Sequence, residues 1–193
     1  MNKSFFSLFC GCLMCAATMT VRAQEGHTTD SVSIKIALNE NDNPEIRKFV
    51  LSKITDQSVF EQIALNNKDN PEIRKFALAK ITDDQSILEQ IALNNRDNPE
   101  IRKFALSKIT DDQSVLKQIA LNNRDNPEIR KFALSKITDD QSILKQIALN
   151  NEDNPEIRKS VLSKITDKSV FEQIALNNRD NPEIRKFALE QIK

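Results

Sequence analysis

All six prolines of this chain occur in one recurring motif, and their spacing constrains the fold more than any other feature. The motif reads Asn-Pro-Glu-Ile-Arg-Lys, and its prolines are Pro44, Pro71, Pro99, Pro127, Pro155 and Pro182. Successive prolines are 27 or 28 residues apart. A constant period of this length is typical of a repeat protein, in which each unit is too small to bury a core alone and gains one by stacking on its neighbours.

Each repeat is predicted to form two short helices, as the repeat 111–138 illustrates. Its first helix is predicted over Gln113 to about Asn122, because apolar residues there recur at the spacing that places them on one helix face. These residues are Val115, Leu116, Ile119 and Ala120. Asp112 is placed to cap the free N–H groups of this helix, and Thr110 with Gln113 forms a capping-box pattern.

The second helix of the same repeat contains the proline. Asn126 is its predicted cap and Pro127 its first residue, where a missing N–H does no harm. Glu128 lies near the positive end of the helix, which favours it electrostatically. The apolar residues cover an arc of roughly 200°, and they are Ile129, Phe132, Ala133, Leu134 and Ile137. With Phe132 assigned to the core, its replacement by alanine is expected to cost about 3–5 kcal/mol.

Six such helix pairs account for residues 30–193. The predicted fold is therefore all-α, an α-solenoid of six two-helix repeats of 27–28 residues. The predicted repeats are about 30–55, 56–82, 83–110, 111–138, 139–166 and 167–193. In the last helix Glu190 replaces the usual Ser or Ala and Gln191 the usual Lys, which is typical of a terminal repeat that faces water on one side.

Two junctions between repeats, at 55–57 and 166–168, are one residue shorter than the others. Each follows a valine where other repeats have alanine, and each precedes a phenylalanine where others have leucine. These residues are Val50, Phe60, Val161 and Phe171. We interpret the pattern as coupled packing, in which the shorter turn shifts the next helix and larger side chains refill the space. Ser160 replaces the usual phenylalanine and is interpreted as part of the same exchange of volume.

The start of the chain has the three parts of a secretory signal. Residues 1–23 contain a positive start at Lys3, an apolar run, and a cleavage pattern that ends at Ala23. We predict cleavage, a polar lead-in over 24–29, and an exported protein, periplasmic or secreted, that does not insert into a membrane afterwards. An uncleaved anchor and a lipoprotein through Cys12 are the alternatives.

Composition excludes several classes of function. All three cysteines lie in the predicted signal, so the remaining chain has neither disulfides nor thiolate metal sites. The 28 basic and 28 acidic residues balance, which excludes a strong attraction to nucleic acid. One histidine and two glycines cannot form a multi-histidine metal site or a glycine-rich phosphate loop. No repeat carries a unique acid or histidine, so we predict no enzyme, no cofactor and no metal. Calcium at the turns is disfavoured because each turn offers few carboxylates and their capping role explains them.

The recurring motif resembles a known repeat family. It runs Asp125-Asn126-Pro127-Glu128-Ile129-Arg130, then Ala133 and Ile137, then Thr-Asp and a Leu-x-x-Ile-Ala helix. This pattern resembles the HEAT-like repeats of the armadillo-type α-solenoid superfamily, particularly the short bacterial form, which also resembles the leucine-rich-repeat variant. The resemblance covers about 31–193. It implies a right-handed solenoid with the proline-containing helices on the concave face, and it specifies no one function, since such repeats have many binding roles.

The resemblance also implies an aspartate–arginine ladder along the turns. Its members would be Asp42/Arg47, Asp69/Arg74, Asp97/Arg102, Asp125/Arg130, Asp153/Arg158 and Asp180/Arg185. These arginines either capture a ligand or hydrogen-bond between neighbouring turns. Six equivalent copies favour the structural ladder over a site.

A polar strip on the concave helices is the candidate partner-binding surface. Glu and Lys recur three residues apart on these helices, often with a serine one turn further on. The candidate residues are Glu45, Lys48, Glu72, Lys75, Glu100, Lys103, Ser107, Glu128, Lys131, Ser135, Glu156, Lys159 and Lys186. The alternative is a row of solvated Glu–Lys pairs, each worth about 0.2–0.5 kcal/mol.

The first helices carry one position whose charge changes sign between repeats. Its residues are Glu61, Glu89, Lys117, Lys145 and Glu172. This variation indicates either a docking patch or unconstrained exposed positions.

A polar array without a catalytic group favours binding. We predict an exported, non-catalytic interaction scaffold that binds a peptide or protein segment on its concave face. The alternative is a structural or self-assembling spacer of the cell envelope. A binder of one particular protein is expected to vary its surface from repeat to repeat. The near-identity of the middle repeats therefore suits a repetitive ligand, self-assembly or a recently duplicated array, and both functions stay open.

Overall fold

The computed structural model describes residues 31–81, 84–109, 113–137 and 140–192, and within these ranges all regular structure is α-helical. The helices are α1 (31–38), α2 (Pro44–Leu51), α3 (Gln57–Leu65), α4 (Pro71–Lys80), α5 (Gln85–Leu93), α6 (Pro99–Lys108), α7 (Gln113–Leu121), α8 (Pro127–Lys136), α9 (Gln141–Leu149), α10 (Pro155–Leu162), α11 (Lys168–Leu176) and α12 (Pro182–Gln191). They form two compact units, α1–α4 and α5–α12. Odd-numbered helices are called first helices below, and even-numbered helices are called proline helices.

Within each unit, helices pack first on their own partner and then on the equivalent helix of the next repeat. α3 packs on α4, α5 on α6, α7 on α8, α9 on α10 and α11 on α12. Between repeats, α2 packs on α4 in the first unit. In the second unit α5, α7, α9 and α11 form one row, and α6, α8, α10 and α12 form another. This packing confirms the predicted all-α fold and its solenoid-type stacking of helix pairs.

Every proline helix begins at an asparagine cap. Oδ1 of Asn126 accepts hydrogen bonds from the amide groups of Glu128 and Ile129 at 2.9 and 3.3 Å, and Pro127 is the first residue of α8. The same arrangement recurs at Asn43, Asn70, Asn98, Asn154 and Asn181. The predicted cap is confirmed, because the asparagine satisfies N–H groups that the first helical turn leaves without a backbone partner.

Aspartates cap four of the first helices. Oδ1 of Asp84 accepts from the amides of Ser86 and Ile87 at 3.0 and 3.3 Å, which fixes the start of α5. The other three are Asp56, Asp140 and Asp167. The predicted cap Asp112 and the predicted capping-box residue Thr110 lie outside the described residues.

The core of a repeat comes from both of its helices. In α7, the four residues predicted to form its apolar face are all buried, which confirms that prediction. In α8, Ile129, Ala133 and Leu134 are buried as predicted, but Phe132 is only half-buried. The assignment of Phe132 to the core is therefore wrong. Arg130, which the apolar pattern did not include, is fully buried, with a relative exposure of 0%.

The two proline helices that precede the shorter junctions are themselves shorter. α2 and α10 have 8 residues, whereas α4, α6 and α8 have 10. The valines and phenylalanines interpreted as coupled packing are buried, namely Val50, Phe60, Val161 and Phe171. Ser160 is exposed, so its interpretation as an exchange of core volume is wrong: it replaces a phenylalanine at a surface position.

Residues 1–30 lie outside the described residues, and with them the predicted signal, Cys12 and the polar lead-in. Cleavage, export and lipidation therefore stay predictions. In the described ranges, none of the helices combines the length and apolar character needed to cross a membrane.

Candidate functional site: the proline-helix face

The arginine of each motif is the first functional candidate. Its guanidinium makes hydrogen bonds to other groups of the protein. Nε and Nη2 of Arg130 donate to the carbonyl oxygen of Ala120 at 3.0 and 2.8 Å, near the end of the preceding first helix. Nη1 and Nη2 also donate to Oδ1 and Oδ2 of Asp153 at 2.5 and 2.6 Å. One guanidinium thus ties its own repeat to the turn of the next, in a bidentate pair.

The same pair recurs along each unit and forms a ladder. Further rungs are Arg47–Asp69, Arg102–Asp125 and Arg158–Asp180. The partners lie 22 or 23 residues apart, so each aspartate is paired with the arginine of the preceding repeat. Arg74 makes the equivalent bonds to the carbonyl of Ala64 at 3.0 and 2.7 Å. Among the described side chains, every buried polar atom has at least one hydrogen-bond partner, which favours the structural role of these rungs over ligand capture.

The ladder lowers the pKa of the carboxyl of Asp180. Burial raises the pKa of this carboxyl, but the hydrogen bond and charge of Arg158 and the amide of Asn181 outweigh it. The net pKa lies below the ordinary value for aspartate, and the rung is held ionised.

The proline-helix face, defined as the outward-facing side chains of the proline helices, contains the predicted polar strip. Lys48 and Lys159 are half-exposed, and the other members are exposed. In the first unit these are Glu45, Glu72 and Lys75, and in the second Glu100, Lys103, Ser107, Glu128, Lys131, Ser135, Glu156 and Lys186. The strip therefore has access to solvent within each unit.

A row of phenylalanines shares this face. In the second unit Phe104, Phe132 and Phe187 are half-buried. The ammonium groups of Lys103 and Lys136 lie 5.6 and 5.7 Å from the centroid of the Phe132 ring, within cation–π range. Phe132 thus presents an apolar surface beside two positive charges, one from its own helix α8 and one from the neighbouring helix α6.

The contact between a phenylalanine and the lysine four residues later, in the last turn of the helix or just beyond it, recurs in both units. The ammonium–centroid distances are 5.9 Å for Lys53–Phe49, 5.7 Å for Lys80–Phe76 and 5.8 Å for Lys108–Phe104. The lysine stems extend along the helix while their charges lie near its negative end. These lysines belong to the face together with the rings.

Several glutamates and serines of the face have partners within the protein. Lys131 lies 3.4 Å from Glu128 on the same helix, and Lys159 lies 2.9 Å from Glu183 on the next proline helix. Because of this second contact, the pKa of Lys159 is raised and that of Glu183 is lowered. The hydroxyl of Ser135 donates to the carbonyl oxygen of Phe132 at 2.7 Å, which leaves its oxygen lone pairs as acceptors.

The phenylalanines and the lysines four residues after them are the residues of this face that the sequence did not assign to the candidate binding surface. One signal could have found them. Ser160 occupies the phenylalanine position of α10 and is exposed there. A polar residue in one of several equivalent positions is typical of a surface site, because a core site would be left with a cavity and an unsatisfied hydroxyl.

The charge variation on the first helices has a local structural role in two repeats. Nζ of Lys117 lies 2.8 Å from Oδ2 of Asp140, and Nζ of Lys145 lies 2.5 Å from Oδ2 of Asp167. Both aspartates cap the first helix of the following repeat. The hydrogen bond from Lys145, followed by those from Ser169, lowers the pKa of Asp167 to about 2.

In the part of the chain that the structure describes, no group of three or more acidic, histidine or cysteine side chains is arranged to hold a metal ion. Comparisons with protein-family models, curated proteins and solved structures find no match to this chain. The likeness of the motif to HEAT-like repeats therefore rests on the residues of this sequence alone.

Proposed function

We propose that this chain is an exported, non-catalytic interaction scaffold that binds a peptide or protein segment along its proline-helix face. The observation that carries the proposal is the position of Phe132, half-buried on the surface beside Lys103 and Lys136. The fold does not require an aromatic ring here, because α10 has Ser160 at the equivalent position. Aromatic side chains on a surface are enriched in binding sites, where they supply most of the energy.

The chemistry of the face suits a partner that carries carboxylates next to apolar side chains. A carboxylate would pair with the lysines, while an apolar side chain would cover the ring. The same residue types occur on the neighbouring helices α6 and α8, with Phe104 and Lys108 on α6. Packed helices lie about 8–10 Å apart, which an extended partner segment spans with about three residues. A segment with an acidic–apolar pattern at this interval would engage both helices.

The resemblance of the motif to HEAT-like repeats supports the same proposal. In that fold the solenoid is right-handed, and the proline helices line its concave face. The signal pattern of residues 1–23 supports export, to a periplasm or to the outside of the cell. The absence of a unique catalytic residue in any repeat supports a binding role without a cofactor.

A peptide-display selection on the purified protein tests the proposal. The decisive variant is Phe104→Ser/Phe132→Ser, since serine is the residue that α10 has at this position. Its matched control is Gln118→Ser/Gln146→Ser, which changes exposed residues of the first helices. We expect selected acidic–apolar peptides to bind the phenylalanine variant about 30-fold or more weakly and the control unchanged. Equal binding by all three proteins would contradict the proposed surface.

A pull-down from the cell-envelope fraction tests the lysines in the same way. We expect a partner that the unchanged protein captures and that the Lys103→Glu/Lys131→Glu variant loses. Capture of the same partner by both forms would contradict the role of these lysines. Recovery of only the protein itself in both forms would favour the alternative function, a structural or self-assembling spacer.

A further inference from the structure

The arginine–aspartate ladder has a direction, and its two end members are incomplete. Within each unit, a rung uses an arginine of one repeat and an aspartate of the next, as in Arg158–Asp180. Asp42 is the aspartate of the first motif. It is half-exposed and accepts a hydrogen bond from the amide of Asn43 at 2.7 Å. Arg185 is the arginine of the sixth motif. It is half-buried, and its Nε and Nη2 donate to the carbonyl oxygen of Ala175. Within the described ranges, neither has a ladder partner.

The surfaces around these two residues expose apolar side chains whose equivalents are buried elsewhere. Ile46 is 49% exposed, whereas Ile73, at the same position of the next repeat, is 0% exposed. Leu189 is 45% exposed, whereas Leu162, at the same position of the preceding repeat, is 1% exposed. We call Val32, Asp42 and Ile46 the leading surface, and Leu176, Arg185 and Leu189 the trailing surface. Each pairs a charged group with uncovered apolar area, and the two charges are opposite.

We propose that the trailing surface of one copy of this chain binds the leading surface of a second copy, and that Arg185 completes a rung with Asp42 of that copy. The new contact would repeat the internal ones: an arginine that already donates to a first-helix carbonyl adds a bidentate pair to the aspartate of the next turn. Apolar residues on both sides would be covered, as their equivalents are within the array. Because the two surfaces differ, the contact is heterologous and propagates head to tail beyond a dimer, into a closed ring or an open chain.

Charge reversal on the purified full chain tests this proposal. Asp42→Arg and Arg185→Asp each place like charges at the contact, so each variant alone is expected to lose association. Together, the two variants restore opposite charges at both kinds of junction, so a one-to-one mixture is expected to associate again. Arg124→Asp makes the same chemical change at an exposed turn in the middle of the chain and is the matched control. Sedimentation velocity over a range of protein concentrations measures association, and circular dichroism confirms that each variant is folded.

For the unchanged protein we expect species larger than a dimer that grow with concentration, and for each single reversal a dissociation constant about 30-fold or more higher. The control and the Phe104→Ser/Phe132→Ser variant are expected to associate like the unchanged protein. A protein that stays monomeric, or that stops at a dimer, would overturn the proposal. So would single reversals without effect, or a mixture that fails to restore association.

Discussion

Removal of one carboxylate from the ladder is expected to be among the most damaging single changes in this chain. Asp153→Ala leaves the Arg130 guanidinium at 0% exposure, with its bonds to the carbonyl of Ala120 but without its counter-ion. Breaking a buried ion pair by removing one partner costs about 3–5 kcal/mol, because the remaining charge is neither solvated nor paired. A domain is stable by only about 5–15 kcal/mol, so the loss would be a large fraction of the total.

Asp42→Ala provides the matched control for this change. Asp42 occupies the same position in its motif, and its carboxylate accepts from the next amide at 2.7 Å, as that of Asp153 does at 2.6 Å. No arginine contacts Asp42 in the described part of the chain, so this variant loses the turn hydrogen bond but no rung. We expect a cost of about 0.5–1.5 kcal/mol. The rung itself then accounts for a difference of about 2–4 kcal/mol between the two variants.

Urea denaturation followed by circular dichroism measures both costs, at a protein concentration low enough to keep the chains apart. The free energy of unfolding comes from the midpoint and the slope of the transition. A repeat array can unfold in parts, so a lower slope in Asp153→Ala alone would show that the repeats on either side of the rung had become uncoupled. Equal midpoints and slopes for the two variants would refute the reasoning, since Arg130 would then not depend on its carboxylate.

Three further predictions concern other positions. Phe60→Ala is expected to lower the free energy of unfolding by about 3–5 kcal/mol, and Phe132→Ala by about 1–2 kcal/mol, because only the Phe60 ring is fully buried. Similar urea midpoints for the two variants would contradict the assignment of Phe60 to the core and Phe132 to the surface. The contribution of Asp167 to stability is present above its ordinary pKa of 3.8 and is lost as the pH falls through about 2. Lys145→Met is expected to raise that pKa in a carboxyl-carbon NMR titration, and an unchanged value would exclude the ion pair. Asn126→Ala is expected to cost about 1 kcal/mol through loss of the helix cap, so an unchanged midpoint in urea would argue against the cap.

The features that could be predicted from this sequence are the local ones. Asn126 and Pro127 define a helix start through interactions within three residues, so their pattern is sufficient. The apolar spacing of α7 identifies its buried face for the same reason. The repeat period then places equivalent helices side by side, and the all-α stacked arrangement follows.

The features that could not be predicted depend on residues far apart in the chain. Arg130 is buried and paired with Asp153, 23 residues later. The ladder is expected only from the resemblance to a known repeat family, because no pattern within α8 itself indicates that its arginine is buried. Phe132 has a helical position at the edge of the buried arc, where an apolar pattern cannot tell a core residue from a surface one. Its place on the candidate site depends on Lys103 of the preceding proline helix, which lies 5.6 Å from its ring.

The ladder also explains how the array tolerates repeats of two lengths. The rungs Arg47–Asp69 and Arg158–Asp180 join residues 22 apart, whereas Arg102–Asp125 and Arg130–Asp153 join residues 23 apart. All four retain nitrogen–oxygen distances of 2.5 or 2.6 Å despite this difference. The missing residue is absorbed in α2 and α10, which end two residues earlier than α4, α6 and α8. Apolar contacts between near-identical repeats would permit more than one register, but a buried guanidinium without its carboxylate would cost about 3–5 kcal/mol. The rung therefore fixes how one repeat lies on the next, and variation in length is confined to the helix ends, where no rung is disturbed.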